Sequence, residues 1–232
     1  MSYITAQNLN KTYGRGDAIV SAVSDVSFQI QAGEFISLMG ESGAGKRSLC
    51  TNLGIALTRS GRKVCILETG ESDRSGMNHL LRREASVDEL LTTAPGGVQV
   101  LATGSGMGEF IHLRAEQQQR LLEIMRLLEQ RFDYLLLDTQ AEINDTLVQF
   151  LLAAPYTILT ITPEPSSLTN AFSLLKILKR YYFNHPLYVV VNRASNLPEA
   201  HDTFKWLKQC AARFLRLEMR YLGYALVDEG IE

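Results

Sequence analysis

One seven-residue run constrains this chain more than any other feature: Gly40-Glu41-Ser42-Gly43-Ala44-Gly45-Lys46. It follows an apolar stretch, Phe35-Ile36-Ser37-Leu38-Met39, which reads as a short buried strand. It precedes residues 46–60, where Leu49, Leu53, Ile55 and Ala56 mark the apolar side of a helix. A glycine loop between a strand and a helix is the setting in which a G-x4-G-K pattern holds phosphate. Glycines let backbone N–H groups converge on phosphate oxygens, and the helix N-terminus adds positive potential. Residues 40–48 are therefore the expected binding stretch, with Lys46 reaching the terminal phosphates and Ser48 closing it.

Arg47 breaks the pattern. The residue after the lysine ordinarily carries a hydroxyl that meets Mg²⁺. Arginine ligates no cation, and its fixed charge repels one. Ser48 comes one position late, about 100° round the helix. Three readings stay open: metal binding is weakened, or Arg47 turns outward and water and carboxylates hold the ion, or the site no longer catalyses. A carboxylate stands ready at Asp138, which ends the apolar run Tyr134-Leu135-Leu136-Leu137. A strand-end aspartate can simply cap a turn, but with a phosphate loop upstream Asp138 is expected to hold Mg²⁺.

The rest of the chain alternates short apolar runs with amphipathic stretches, an α/β signature. Further strands are expected at Val64–Leu67, Val98–Leu101, Thr157–Thr162, Leu187–Val191 and Met219–Tyr224. Helices are expected at 76–82, 86–92, 115–130, 146–153, 167–180 and 198–214. Ser86 with Glu89 reads as a capping box, and Pro95-Gly96-Gly97 as a turn. In helix 115–130, Leu121, Leu122, Met125 and Leu128 are taken to face inward. The first 33 residues read differently, as short strands Ile4–Leu9, Ala18–Val20 and Val26–Ile30 without a helix between them. They form a small antiparallel segment feeding the first parallel strand.

Composition narrows the function. Lys and Arg number 23 against 25 Asp and Glu, a net charge of −2, so no basic excess draws the chain to nucleic acid or an anionic membrane. No apolar run reaches the ~20 residues that span a bilayer, and no signal peptide is visible at the N-terminus. Cys50, Cys65 and Cys210 are widely spaced and odd in number, as in a reduced, cytoplasmic compartment.

Two resemblances meet at the loop. From about residue 47 onward the chain resembles the MinD/ParA superfamily of P-loop ATPases, in the branch that regulates flagellar number and placement. The resemblance rests on Asn52–Leu57, Gly61–Val64, Pro95–Leu101, Gly104–Met107, Asp133–Thr139, Thr162–Thr169, Val190–Arg193 and Tyr221–Tyr224. Residues 4–46 resemble the start of an ABC-transporter ATPase, through Leu9–Gly14, Val23–Phe28 and Ala32–Phe35 up to Lys46. The ABC resemblance stops there: Leu113–Arg120 lacks the two signature glycines, and Thr139 stands where that family has its catalytic glutamate.

The resemblances imply a P-loop NTPase fold, with a mostly parallel sheet flanked by helices and an antiparallel β segment at the N-terminus. The expected division is 1–33 for that segment and 34–232 for the MinD/ParA-like domain. They imply ATP as ligand with Mg²⁺ beside Asp138, Lys46 and Asp138 as the catalytic pair, and Asn192 at the adenine edge. In the ABC family an aromatic at the place of Tyr13 stacks on adenine instead. They also imply a nucleotide-dependent homodimer acting on proteins of flagellar assembly or placement.

Three departures qualify this. Glu41 stands where the MinD-like family has a lysine that reaches the partner's nucleotide, Arg47 replaces the hydroxyl, and the acidic switch residue must come from Glu68, Glu71 or Asp73 at a disturbed spacing. Hydrolysis is thus expected to be weak or altered. The family's C-terminal membrane helix has no counterpart before Glu232, and the acidic tail 228–232 predicts no direct membrane anchoring. Three functions stay in view: a conditional ATPase switch, a nucleotide-binding or interaction protein without enzymatic activity, and an ABC-transporter subunit. Turnover of Mg²⁺-ATP separates the first two.

Overall fold

The computed structural model describes residues 3–13, 20–31, 34–69, 76–104, 114–139, 148, 151–152 and 154–227. The strands are β1 Tyr3–Tyr13, β2 Val20–Gln31, β3 Glu34–Met39, β4 Val64–Thr69, β5 Thr92–Thr93, β6 Gln99–Gly104, β7 Tyr134–Asp138, β8 Tyr156–Ile161, β9 Leu187–Ala194 and β10 Arg220–Leu226. The helices are α1 Lys46–Arg59, α2 Gly76–Leu81, α3 Val87–Leu90, α4 Ala115–Arg131, α5 Pro165–Arg180 and α6 Leu197–Cys210. They fall into two compact units, Ala32–Met39 with Lys46–Pro155, and Met1–Gln31 with Gly40–Gly45 and Tyr156–Glu232.

In the first unit the strand order is β3-β7-β4-β6-β5, parallel except for the short edge strand β5. β7 is buried along its whole length, as a strand covered on both faces must be. Cys65, Leu67, Leu101, Leu135 and Leu137 turn to one face and pack against Met77, Leu80, Leu81, Ile124, Leu128 and Phe132. The opposite face carries α1, which buries Lys46, Cys50, Gly54 and Leu57. Gly54 lets the helix come close: a Cβ there would stand 3.3 Å from both Ile66 and Val98. Strand β7 is anchored at its start by Asp133, whose carboxylate accepts from the Lys63 amide at 2.8 Å.

The second unit has the order β1-β2-β10-β9-β8. β8, β9 and β10 are parallel, and β2 joins β10 antiparallel through Ser24 and Tyr224. β1 and β2 form the expected antiparallel segment. α6 begins at Asn196, whose side chain accepts from the Glu199 amide at 2.9 Å, while the Glu199 carboxylate accepts from the Ser195 amide at 2.6 Å. These reciprocal bonds satisfy donors that a helix start leaves open. The Ser86–Glu89 capping box forms as expected.

Several details differ from the sequence reading. The strand expected at Val26–Ile30 is longer, running as β2 from Val20 to Gln31, and the one expected at Ala18–Val20 lies largely outside the described residues. Val20, Ala22, Val26, Phe28 and Ile30 keep a period of two, and Ser24 merely interrupts their apolar character. On α4, Leu122 is exposed and Ile124 buried. Leu122 lies about 100° round from Leu121, off the stripe that Leu121, Ile124, Met125 and Leu128 share. On α1, Ala56 points to solvent. The helix expected at 86–92 ends at Leu90, with Thr92 and Thr93 pairing as β5 instead. The helix expected at 146–153 lies largely outside the described residues, as do Glu71, Asp73 and the tail 228–232.

Candidate nucleotide site

The loop leaves β3 at Gly40 and enters α1 at Lys46. Gly43 and Gly45 adopt φ of +85° and +78°, a left-handed backbone that side chains other than glycine disfavour. The Ala44 amide donates to the Glu41 carbonyl at 3.2 Å, closing the turn. Ser42 and Gly43 are exposed and Ala44 is buried.

Two side chains of the same unit fix this loop. The Asn192 amide, on β9, donates to the Ala44 carbonyl at 2.9 Å. It lies so close to Gly45 that a Cβ there would fall on its nitrogen. Arg193 follows with φ of 57°, rare for a residue with a side chain. The Asn192 side chain thus braces the loop backbone. The Glu41 carboxylate accepts from the Asn170 amide of α5 at 2.6 Å. Nothing in the sequence singles out Asn170, because 129 positions separate it from Glu41.

Beyond the loop, Lys46 opens α1 and is buried. Its neighbour Arg47 keeps 71% of its side chain exposed yet reaches two carboxylates. Its Nη2 stands 3.1 Å from Glu68 Oε1, and its Nε donates to Asp138 Oδ2 at 3.4 Å. Glu68 and Asp138 are side by side because β4 and β7 pair them in register. Ser48 is exposed. Thr69 Oγ1 donates to the Asp138 carbonyl at 2.9 Å, and Thr139 Oγ1 to the Leu38 carbonyl at 2.6 Å, so the strand end is held firmly. Thr139 was visible in the Asp138-Thr139 pair, but its tie to β3 depends on strand order.

Burial raises the Asp138 carboxyl above its ordinary range, and the charges of Arg47 and Lys46 work against that rise. Below them Cys50 is buried, and desolvation, with the negative charges of Asp138 and Glu68, pushes its thiol well up. A thiol so placed stays protonated and unreactive.

This donor set does not fit Mg²⁺. The ion needs oxygen ligands in near-octahedral order, and the residue in position to supply one is a guanidinium already paired with the two nearest carboxylates. Among the described residues, no group of three or more His, Cys, Asp and Glu is placed to hold a metal.

Comparison with known proteins agrees with the loop-to-strand frame. Residues 35–174 match the family described as ATPase MipZ. The chain belongs to that family. The antiactivator FleN of Pseudomonas aeruginosa is 29% identical over 203 residues, covering 83% of this chain and 72% of that protein. The flagellum site-determining protein YlxH of Helicobacter pylori is 26% identical over 231 residues, 93% of this chain and 78% of that protein. The crystal structure of a ParA family ATPase from Chlorobium tepidum superposes with a TM-score of 0.62 at 17% identity, covering 86% of each chain. That likeness shows the fold: a P-loop α/β protein with a mostly parallel sheet. The ABC resemblance has a shorter counterpart. The phosphonates import ATP-binding protein PhnC of Halobacterium salinarum is 54% identical over 54 residues, 22% of this chain and 18% of that protein. The MipZ family and its MinD/ParA relatives therefore set the frame of the chain. No helix among the described residues is long and apolar enough to cross a membrane.

Proposed function

We propose that this chain is a cytoplasmic nucleotide-dependent switch of the kind that sets flagellar number or placement. It binds ATP or ADP through residues 40–48 and Asn192, pairs with a second copy when loaded, and acts on protein partners. One observation carries the reading: a left-handed glycine loop runs straight into a helix that opens on the buried Lys46. Loop amides of this kind, and a lysine opening the helix that follows, are the groups that hold phosphate in a G-x4-G-K sequence. The names of FleN, an antiactivator, and YlxH, a flagellum site-determining protein, support the choice of process.

Lys46 and Asp138 are the residues assigned to chemistry, with hydrolysis weak. A second reading, a nucleotide-binding protein without turnover, is favoured by the Arg47 pairing with Asp138 and Glu68. Steady-state ATP turnover separates the two.

Replacing Lys46 with alanine should weaken nucleotide binding by at least ~tenfold, about 1.4 kcal/mol. Fluorescence titration of wild type and variant measures it. Equal affinities would remove the loop from the binding site.

A further inference from the structure

The most unusual chemistry on the molecule is an arginine clamped between two carboxylates, where the loop pattern calls for a hydroxyl. A surface ion pair alone would signify little. This one differs because Asp138 is buried, with only 7% of its side chain exposed, and Glu68 stands beside it in register. A single guanidinium answers two adjacent carboxylates at the end of two parallel strands, standing with one positive charge where the loop pattern puts a divalent ion. The guanidinium carries five N–H donors in a fixed fork. Two of its nitrogens face carboxylates, and 71% of the side chain remains open to solvent. Donors are thus left for a phosphate oxygen, and guanidinium–phosphate bonds are strong and directional. A Mg²⁺ ion could take the position only by stripping Arg47 from both partners, and it would then sit beside a charge that cannot be neutralised.

We propose that Arg47 is a built-in cation and that the loop binds nucleoside di- and triphosphates as metal-free polyanions. The inference rests on the nucleotide reading above and adds how the site is charged. Arg47, tethered by Glu68 and Asp138, contacts the terminal phosphates alongside Lys46. Occupancy then follows nucleotide concentration and not Mg²⁺, and the bound triphosphate is held without a metal to bridge its oxygens.

The test is fluorescence titration of the full chain with the N-methylanthraniloyl derivatives of ADP and ATP, in buffer with millimolar MgCl₂ and in buffer with EDTA. Wild type should bind with the same affinity in both, within about threefold, and Arg47→Thr should gain at least ~tenfold from Mg²⁺. The exposure of Arg47 means that its replacement removes no core packing, and the ratio within each protein cancels any general change in affinity. A wild-type affinity that itself rises tenfold with Mg²⁺ would overturn the inference and leave nucleotide binding intact. An Arg47→Thr protein as indifferent to Mg²⁺ as wild type would overturn the assignment to Arg47. Absence of binding in both buffers would overturn the nucleotide reading, and the inference with it.

Discussion

Leu128→Ala should lower unfolding stability by roughly 2–5 kcal/mol, whereas Leu122→Ala on the same helix should change it by no more than ~0.5 kcal/mol. The two substitutions remove the same atoms from the same helix, six residues apart, so intrinsic helix propensity cancels. Burial alone separates them. Leu128 has no exposed surface and packs with Ile124, Phe132, Leu135 and Leu137, while Leu122 is 59% exposed. Truncating Leu128 loses apolar transfer energy and leaves a cavity under β7 that its rigid neighbours fill only in part. Urea denaturation of both variants measures the difference. Equal losses would mean that α4 is not docked on the sheet as described, since that docking is what buries one leucine and exposes the other.

The same helix illustrates what the sequence conveys. Its limits were legible because a polar, unbroken period of 3.6 runs between Arg114 and Phe132. Its inward face was legible only to within one residue, because four leucines, a methionine and an isoleucine crowd both sides of the stripe. Strands buried on both faces, such as β7, were legible as apolar runs, and the loop 40–46 stood out by spacing. The outcome at Arg47 was not legible. Three fates were open to it, and the choice among them depends on which carboxylates the strand order brings within reach. Glu68 and Asp138 become neighbours only when β4 pairs with β7. The partners of Glu41 and Ala44 were hidden for the same reason: Asn170 and Asn192 arrive from 129 and 148 positions away. Side-chain chemistry is local in sequence, but hydrogen-bond partners are set by topology.

Asn192 also frames the largest effect expected at the site. Gly45→Val should cut nucleotide affinity by at least ~hundredfold, about 2.7 kcal/mol, with the fold retained. Two separate penalties fall on the loop. The first is conformational: φ of +78° places the residue in the left-handed region, which costs an L side chain roughly 1–2 kcal/mol and a β-branched one more. The second is steric. The new Cβ falls on the Asn192 amide nitrogen, so Asn192 must swing aside and give up its bond to the Ala44 carbonyl. A loop that relaxes to negative φ turns its amides away from the phosphates, and each charge-assisted bond lost is worth roughly 1.5–3 kcal/mol. Asn192→Ala alone removes the brace but leaves the glycine free, so its cost should be smaller, about tenfold, or about 1.4 kcal/mol. The double variant Gly45→Val with Asn192→Ala relieves the clash and keeps the backbone penalty, so it should bind no better than Asn192→Ala and still well below wild type. Titration of the three proteins with a fluorescent ADP orders them. If Gly45→Val binds within threefold of wild type, the left-handed glycine is not needed for phosphate capture, and the loop binds in a conformation other than the one that Asn192 braces.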